Sequence, residues 1–181
     1  MSQIEVSYED AKQKIIEEIQ KNSKGYLATS ERDLVTVRRM GIISSGLTLW
    51  CLTTDNSRKI KQIAANPNVA IAAGDVLQIE GVATLKGHPM DEENSTFLET
   101  FQKQLPELYE RSLRPGRNLQ RPSTRVIEVA PRRIVMSVWT PHYDLEGFEP
   151  YMIILNTDTE KAYKVSSGDP HEAFKVQAYK E

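Results

Sequence analysis

The sequence predicts a mainly β fold, an antiparallel barrel or sandwich with helices at its periphery. In most segments apolar residues alternate with polar ones, and only a few segments at helical spacing lie between them. That order differs from the regular strand–helix alternation of a parallel sheet. The length of 181 residues suits one compact domain, or one domain with an appendage.

The first element is an amphipathic helix predicted over Tyr8 to Ser23. Ser7, with Asp10 three residues further on, is suited to cap its N-terminus. Gly25 stands where a helix C-terminus favours glycine. The apolar face of this helix consists of Ala11, Ile15, Ile16 and Ile19.

After this helix the pattern changes to strands, interrupted by two further helical segments. The helices are predicted at Ser57 to Asn66, ended by Pro67, and at Glu92 to Leu113, interrupted near Pro106. Arg114 to Ser123 is a predicted loop. Strands are predicted at Tyr26 to Thr29, Leu34 to Met40, Leu47 to Thr54, Val69 to Ala73, Val76 to Lys86, Thr124 to Trp139 (with a break at Pro131), Tyr151 to Leu155 and Lys161 to Val165.

Composition excludes several classes of protein. No apolar run approaches the roughly 18 residues that a membrane helix needs, and the polar, acidic first residues differ from a secretory signal. The single cysteine, Cys51, excludes an intrachain disulfide, and its place in an apolar strand predicts a core thiol. We therefore expect a cytoplasmic protein.

Common catalytic and nucleotide-binding motifs are absent. The sequence contains no GxGxxG and no GxxxxGK[ST] motif, so no glycine-rich loop holds nucleotide phosphates. The segment Gly41 to Gly46 does not match GxSxG. The histidines lie scattered at loop-like positions without the spacing of metal ligands, and no metal site is predicted: His88, His142 and His171.

The segment Thr53 to Lys59 leaves a strand, turns and starts a helix, which the hydroxyls, Asp55 or Asn56 can cap. Arg58 and Lys59 put two positive charges into a first turn that the helix dipole already makes positive, at roughly 0.3–1 kcal/mol each. A bound phosphate would reverse the sign of that effect. Alternatively, both side chains extend into water and the cost is tolerated.

A second pair of cations, Arg38 and Arg39, lies within a predicted strand. Neighbouring strand residues face opposite sides, so one of the two points inward and needs a partner. That partner is a protein carboxylate, the same anion, or the polar edge of a ring. On an edge strand both side chains can instead remain in water.

Four segments together resemble a known family. Val37 to Met40 is similar to its arginine-containing strand, and Leu47 to Ala73 to its strand ending in Thr, helix opened by Ser-Arg-Lys, and Asn-Pro before the next strand. Ile79 to Ala83 and Val126 to Ile134 are similar to two later strands. The family is the pyridoxamine 5′-phosphate oxidase-like, FMN-binding split-barrel family, and the resemblance covers about residues 8 to 139.

The resemblance implies a six-stranded antiparallel split β-barrel that forms a homodimer, with two FMN sites at the interface. Residues 1–139 would form the FMN-binding domain, and residues 140–181 an extension packed on it. Ser57, Arg58 and Lys59 would hold the phosphate, and Arg38 would meet the phosphate or ribityl chain. The other implied cofactor contacts are Arg39, Met40, Gly41, Leu52, Thr53 and Trp139.

Two departures argue against the vitamin-pathway oxidase itself. Val76 stands about where that enzyme has a flavin-contacting glutamine, and its C-terminal Arg-x-His segment has no counterpart in the acidic run Thr140 to Glu149. The resemblance therefore implies an FMN-dependent oxidoreductase of an unidentified small molecule, with no catalytic residue assigned. The alternative is a non-catalytic binder of flavin, deazaflavin or haem, such as a stress-type protein.

Seven of the eleven arginines lie between Arg111 and Arg133, although the net charge is −2. They favour pairing with acids of the C-terminal part or of a second subunit. Two further interpretations are an anionic substrate drawn to Arg114 and Arg117, and a nucleic acid. Tyr109 is the only aromatic residue from Gln102 to Val138, so a base-stacking platform is lacking and nucleic acid is disfavoured.

Overall fold

The computed structural model describes residues 2–138 and 150–166. Helices α1 to α4 are Tyr8–Gln20, Arg58–Ala65, Ser95–Gln104 and Pro106–Ser112, and a 3₁₀ turn, Glu92–Asn94, precedes α3. Strands β1 to β10 are Ser2–Val6, Lys24–Glu31, Leu34–Gly41, Ile43–Ser45, Thr48–Thr54, Asn68–Ala73, Leu77–Leu85, Thr124–Val138, Tyr151–Asn156 and Lys161–Ser166.

All of these strands belong to one antiparallel sheet. Its main path is β1-β10-β9-β8-β7-β6-β2-β3, and β5 joins through β8 and carries β4. Six strands curve around the main core in the order β3-β2-β6-β7-β8-β5, and the path remains open between β3 and β5. The predicted mainly β, antiparallel fold is confirmed.

Strand β8 changes partners midway. Its first half, to Val129, pairs with β5, and its second half, from Arg133, pairs with β9, while β7 follows its other edge. Pro131 lies between the two halves, where a residue without an N–H removes no bond to either strand. The predicted break at Pro131 is therefore replaced by an irregularity: the strand continues, while its partner changes and its register with β7 shifts.

Three local predictions need correction. Helix α1 ends at Gln20, before Ser23, and Gly25 belongs to β2. A Cβ on Gly25 would lie 2.4 Å from Ile42 Cδ1, so tight packing within the sheet explains this glycine. The sequence pattern missed β1 and β4, which have five and three residues. The predicted N-cap is confirmed, because the Asp10 N–H donates to Ser7 Oγ at 3.3 Å.

The interior is divided into a main core and a smaller aromatic cluster. The main core contains Ile15, Leu27, Leu49, Ile71, Ile79, Ile127, Ile134 and Leu155. The aromatic cluster holds α3 and α4 against β5: Trp50 and Phe97 have ring centroids 6.4 Å apart, and Phe101 and Tyr109 5.5 Å apart. Among the described helices, none has the length and apolar character needed to cross a membrane.

Candidate functional site

The open seam between β3 and β5 brings together most of the predicted site residues. Strand β3 pairs only with β2, so its other edge faces β5 without a ladder of hydrogen bonds. Three residues separate the end of β5 from the start of α2, and α2 packs against β2 and β7. Side chains of β3 therefore meet side chains of β5 and of the first turns of α2.

Arg38 is the inward-facing member of the arginine pair, and a set of protein oxygens surrounds its guanidinium group. Nη1 donates to the backbone oxygen of Leu27 at 3.1 Å and to Thr29 Oγ1 at 2.6 Å. Nη2 donates to Thr36 Oγ1 and to Gln62 Oε1, the latter at 3.1 Å. All these acceptors are formally neutral, so the positive charge of Arg38 is not cancelled here.

On the other side of the seam, Lys59 points back to the end of β5. Its Nζ donates to Thr53 Oγ1 at 2.8 Å, and Thr53 Oγ1 lies 3.0 Å from Ser57 Oγ. Ser57 occupies the N-cap position of α2, but its hydroxyl makes no capping bond, and the first turn contains no acidic residue. The predicted side-chain cap is therefore wrong, and this helix N-terminus keeps its positive character.

We call Arg38, Arg58 and Lys59 the cationic cluster. Burial lowers the pKa of Lys59, and the nearby charge of Arg38 lowers it further. Burial also lowers the pKa of Arg38, with Arg58 adding to the effect. Among the described residues no ion pair within 4 Å joins these three side chains to a carboxylate. Asp55, three residues before Arg58, pairs instead with Arg125 at 3.1 Å.

An apolar cleft of about 390 Å³ is lined by other residues of the same two strands. Four predicted flavin contacts line it: Arg39, Met40, Gly41 and Leu52. The opposite wall consists of Phe101 from α3, Leu108 from α4 and Leu105 between the two helices. Arg38 and Arg39 face opposite sides of β3, as do Leu52 and Thr53 on β5, so a ligand with an anionic end and a flat apolar body would have to pass through the open seam to contact both parts.

The structure thus brings nine of the ten predicted site residues to one seam, while Trp139 lies outside the described residues. Sequence reasoning missed Gln62, Thr29 and Thr36, which surround Arg38, and the cleft wall from α3 and α4. The one available signal was that Gln62 interrupts the apolar face of α2, where it is fully buried beside Ile63.

Comparison with known proteins assigns the chain to a family. The sequence profile described as pyridoxamine 5′-phosphate oxidase matches residues 11–137. The chain belongs to this family. No curated protein sequence matches it significantly. The family's split barrel agrees with the six-stranded path and its opening between β3 and β5.

Solved structures support the assignment. A candidate pyridoxamine 5′-phosphate oxidase from Listeria innocua is 25% identical over 68% of this chain and 94% of its own, with a TM-score of 0.52. General Stress Protein 26 from Bacillus anthracis is 27% identical over 68% and 90%, with a TM-score of 0.53. A FAD-binding protein from Mesorhizobium loti, 14% identical, covers 92% of this chain and 100% of its own at a TM-score of 0.52, and shows the fold alone.

Among the described residues, neither the cysteine nor the histidine is placed to act as a nucleophile or as part of a metal site. Cys51 is buried in the core, and burial raises the pKa of its thiol to about 12, so it carries no thiolate at neutral pH. Both ring nitrogens of His88 are occupied by backbone groups: Nδ1 accepts from the Met90 N–H at 3.2 Å, and Nε2 lies 3.1 Å from the Arg121 backbone oxygen. The described residues contain no group of three metal-binding side chains.

The arginine-rich segment divides into two groups. Arg125, Arg132 and Arg133 pair with Asp55, Asp158 and Glu80 at 3.1, 3.8 and 2.8 Å. Only Asp158 belongs to the C-terminal part. Pairing with acids therefore accounts for three of the seven arginines within the described ranges. The remaining four are exposed, and Arg121 donates to the backbone oxygen of Gly116.

Proposed function

We propose that this chain binds FMN along the seam between β3 and β5 and uses it as an oxidoreductase of a small molecule. The cationic cluster carries the proposal, because three cations without a described carboxylate partner lie at the same seam whose strands also line an apolar cleft. Gathering like charges costs free energy that a dianionic phosphate would offset. Family membership supports a flavin.

The residues present fit such a cofactor. Lys59, Arg58 and the hydroxyl of Ser57, which makes no capping bond, would hold the phosphate at the N-terminus of α2, with Arg38 and Thr53 beside it. Met40, Gly41 and Leu52 would lie along the ring, together with Arg39. A bound flavin supplies hydride or single-electron transfer. The chain's own contribution is to position the cofactor and to exclude water with Phe101 and Leu105.

The proposal includes a homodimer that completes the cofactor sites. The outer face of β2, β3 and β6 exposes 55% of Tyr26, 63% of Val35 and 61% of Val37. Exposed Ala70 and Ala72 continue this face, since Ala72 pairs with Tyr26. We call these five residues the outer apolar face. Contiguous apolar surface of this kind is typical of an interface, and Arg39 connects it to the cleft.

Removing the two helix cations tests the phosphate site. We expect the double variant Arg58→Ala, Lys59→Ala to lose affinity for FMN by about 100-fold or more, because charge-assisted bonds contribute about 1.5–3 kcal/mol each. Affinity is measured by quenching of flavin fluorescence. Riboflavin, which lacks the phosphate, should bind the variant and the wild type with similar affinity.

Lys61→Ala is the matched control, since Lys61 is an exposed lysine of the same helix. It should retain FMN affinity within about twofold. Wild-type protein that is colourless and does not quench FMN fluorescence would contradict the proposal. An absorption spectrum, with mass spectrometry of the molecule released on denaturation, distinguishes FMN from deazaflavin or haem.

A second candidate function is a non-catalytic flavin or related cofactor binder of the stress-associated type. The 27% identity to General Stress Protein 26 favours it. The assay that separates the two is turnover. An oxidoreductase reduces or reoxidises its bound flavin with nicotinamide cofactors and varied acceptors, whereas a sequestering protein binds FMN equally well and shows no such turnover.

A further inference from the structure

The hydrogen bonds between Arg38 and Gln62 form a network in which every donor points away from Arg38 and towards Gln62. Arg38 donates through Nη1 to Thr29 Oγ1 and through Nη2 to Thr36 Oγ1. Each hydroxyl has a single proton, and each donates it to Gln62 Oε1, at 2.6 Å from Thr29 and 2.9 Å from Thr36. Arg38 Nη2 reaches the same oxygen at 3.1 Å. Three donors therefore meet at one amide oxygen.

This network uses up the forked donors of Arg38. A guanidinium group has four terminal N–H bonds, two on each Nη atom. Two are directed to Leu27 O and Thr29 Oγ1, and two to Thr36 Oγ1 and Gln62 Oε1. The bidentate recognition that arginine usually offers a phosphate is therefore occupied within the chain, and only the Nε–H remains. The charge remains, since every acceptor is neutral.

Gln62 fixes this arrangement from α2. Its side chain is fully buried, and with three donors directed at Oε1 the orientation of the amide is determined. Its Nε2 has no hydrogen-bond partner among the described residues. An unsatisfied buried donor lowers the free energy of unfolding, so Gln62 destabilises the fold through Nε2. Its Oε1, in return, is a neutral acceptor that holds Arg38 in place and leaves its charge uncancelled.

We propose that Gln62 is a positioning residue that holds Arg38 as a charge beside the anion site, leaving direct phosphate contacts to Arg58, Lys59 and Ser57. This deepens the proposed function, since it rests on a phosphate-bearing ligand at the seam. It predicts that a carboxylate at position 62 gives Arg38 an ion-pair partner. The charge that serves the ligand would then be cancelled inside the chain.

The test is Gln62→Glu, compared with Lys61→Gln, which makes the same one-unit charge change one residue away on the exposed side of α2. We expect Gln62→Glu to keep or raise the melting temperature and to lower FMN affinity by about tenfold. Riboflavin affinity should change by less than about twofold, and Lys61→Gln should leave both affinities near wild type. A purely structural role for Gln62 would not change the ratio of the two affinities.

Thermal protection by inorganic phosphate in the same variants tests Gln62 without a flavin. Protection of wild type and Lys61→Gln, but not of Gln62→Glu, supports the inference even if FMN does not bind and the proposed function fails. An unchanged FMN-to-riboflavin ratio in Gln62→Glu would overturn it. So would equal protection of all three proteins by phosphate, or no protection of any.

Discussion

Lys59 is the residue of the cationic cluster whose lowered pKa leads to a test of the site. Its ammonium group is partly buried, lies near Arg38 and donates to the neutral hydroxyl of Thr53. In the folded chain its pKa is therefore lowered, burial being the larger cause. Folding disfavours the protonated form, so Lys59 opposes stability at neutral pH. That cost is relieved as the pH rises through the lowered pKa towards the unfolded value of 10.5.

A bound phosphate reverses this effect, because the anion favours protonated Lys59 and raises its pKa again. Binding therefore takes up a proton wherever Lys59 is partly deprotonated in the free protein. We expect FMN affinity to fall as the pH rises from about 7 towards 10, by up to about tenfold. Fluorescence titrations at several pH values measure it, with riboflavin correcting for ionisation of the ring.

Lys59→Arg is the control, since arginine remains charged throughout this range. Its FMN affinity, corrected in the same way, should be nearly independent of pH. A slope equal to that of the wild type would mean that another group is responsible.

At this scale the sequence predicts part of the site. Arg58 and Lys59 stand out because cations in a first helical turn oppose the dipole, a rule that needs only local sequence. The partners of Arg38 do not stand out in this way. Gln62 follows Thr29 by 33 residues and Thr36 by 26, so only the packing of α2 on β2 brings them together.

Among the elements, the pair β7–β8 contains the sharpest irregularity. Glu80 pairs with Arg133 and Gly81 with Pro131, so Arg132 is an extra residue in β8. A bulge of this kind bends a strand and increases its twist. It lies where β8 exchanges β5 for β9, and β5 forms one side of the seam. The bulge thereby helps to set the direction of the strand that supports the site.

Gly81 makes this bulge possible by permitting close approach of the two backbones. A Cβ at Gly81 would lie 2.4 Å from the backbone oxygen of Ala130 and 3.0 Å from Pro131 Cα. We expect Gly81→Ala to lower the free energy of unfolding by about 1–3 kcal/mol, because backbone must shift. Urea denaturation measures the change.

Gly41→Ala is the matched control in another strand, since a Cβ there meets no described atom within 4 Å. It should alter stability by less than about 0.5 kcal/mol. Equal losses in the two variants would indicate a general effect of placing alanine in a strand rather than a close contact at the bulge.

The elements show why periodicity predicts some strands and misses others. Strands β2, β6 and β7 were predicted because one face is buried and alternation follows. Strand β1 pairs at the edge with β10, where Ser2 meets Ser166, and its Ile4 is 58% exposed. Such an edge strand has no alternation to detect, and β4 is too short to establish a period.

In the whole molecule, two proposed functional surfaces meet at the β3 edge of the open barrel. The cationic cluster and cleft lie along β3, and the outer apolar face covers β3 and its neighbours on the other side. The sequence identifies Val35 and Val37 as apolar strand residues, which normally predicts burial. Their exposure appears only once the sheet is built, since β3 is an edge strand here. The same strand would therefore connect the proposed cofactor site with the proposed dimer interface.

Placing a charge on the outer apolar face tests whether a second copy covers it. We expect Val37→Glu to convert a dimer to a monomer, because each interface would bury carboxylates against Tyr26, Val35 and their symmetry mates. Sedimentation or light scattering measures the mass, and Met90→Glu, at a loop residue 44% exposed, is the control that should remain dimeric. FMN affinity should fall in the monomer, since the proposed sites lie at the interface.

A wild type that is monomeric at micromolar concentration, or a Val37→Glu variant that is still dimeric, would contradict this assembly. Full FMN affinity in a monomeric variant would instead show that one chain forms the complete site.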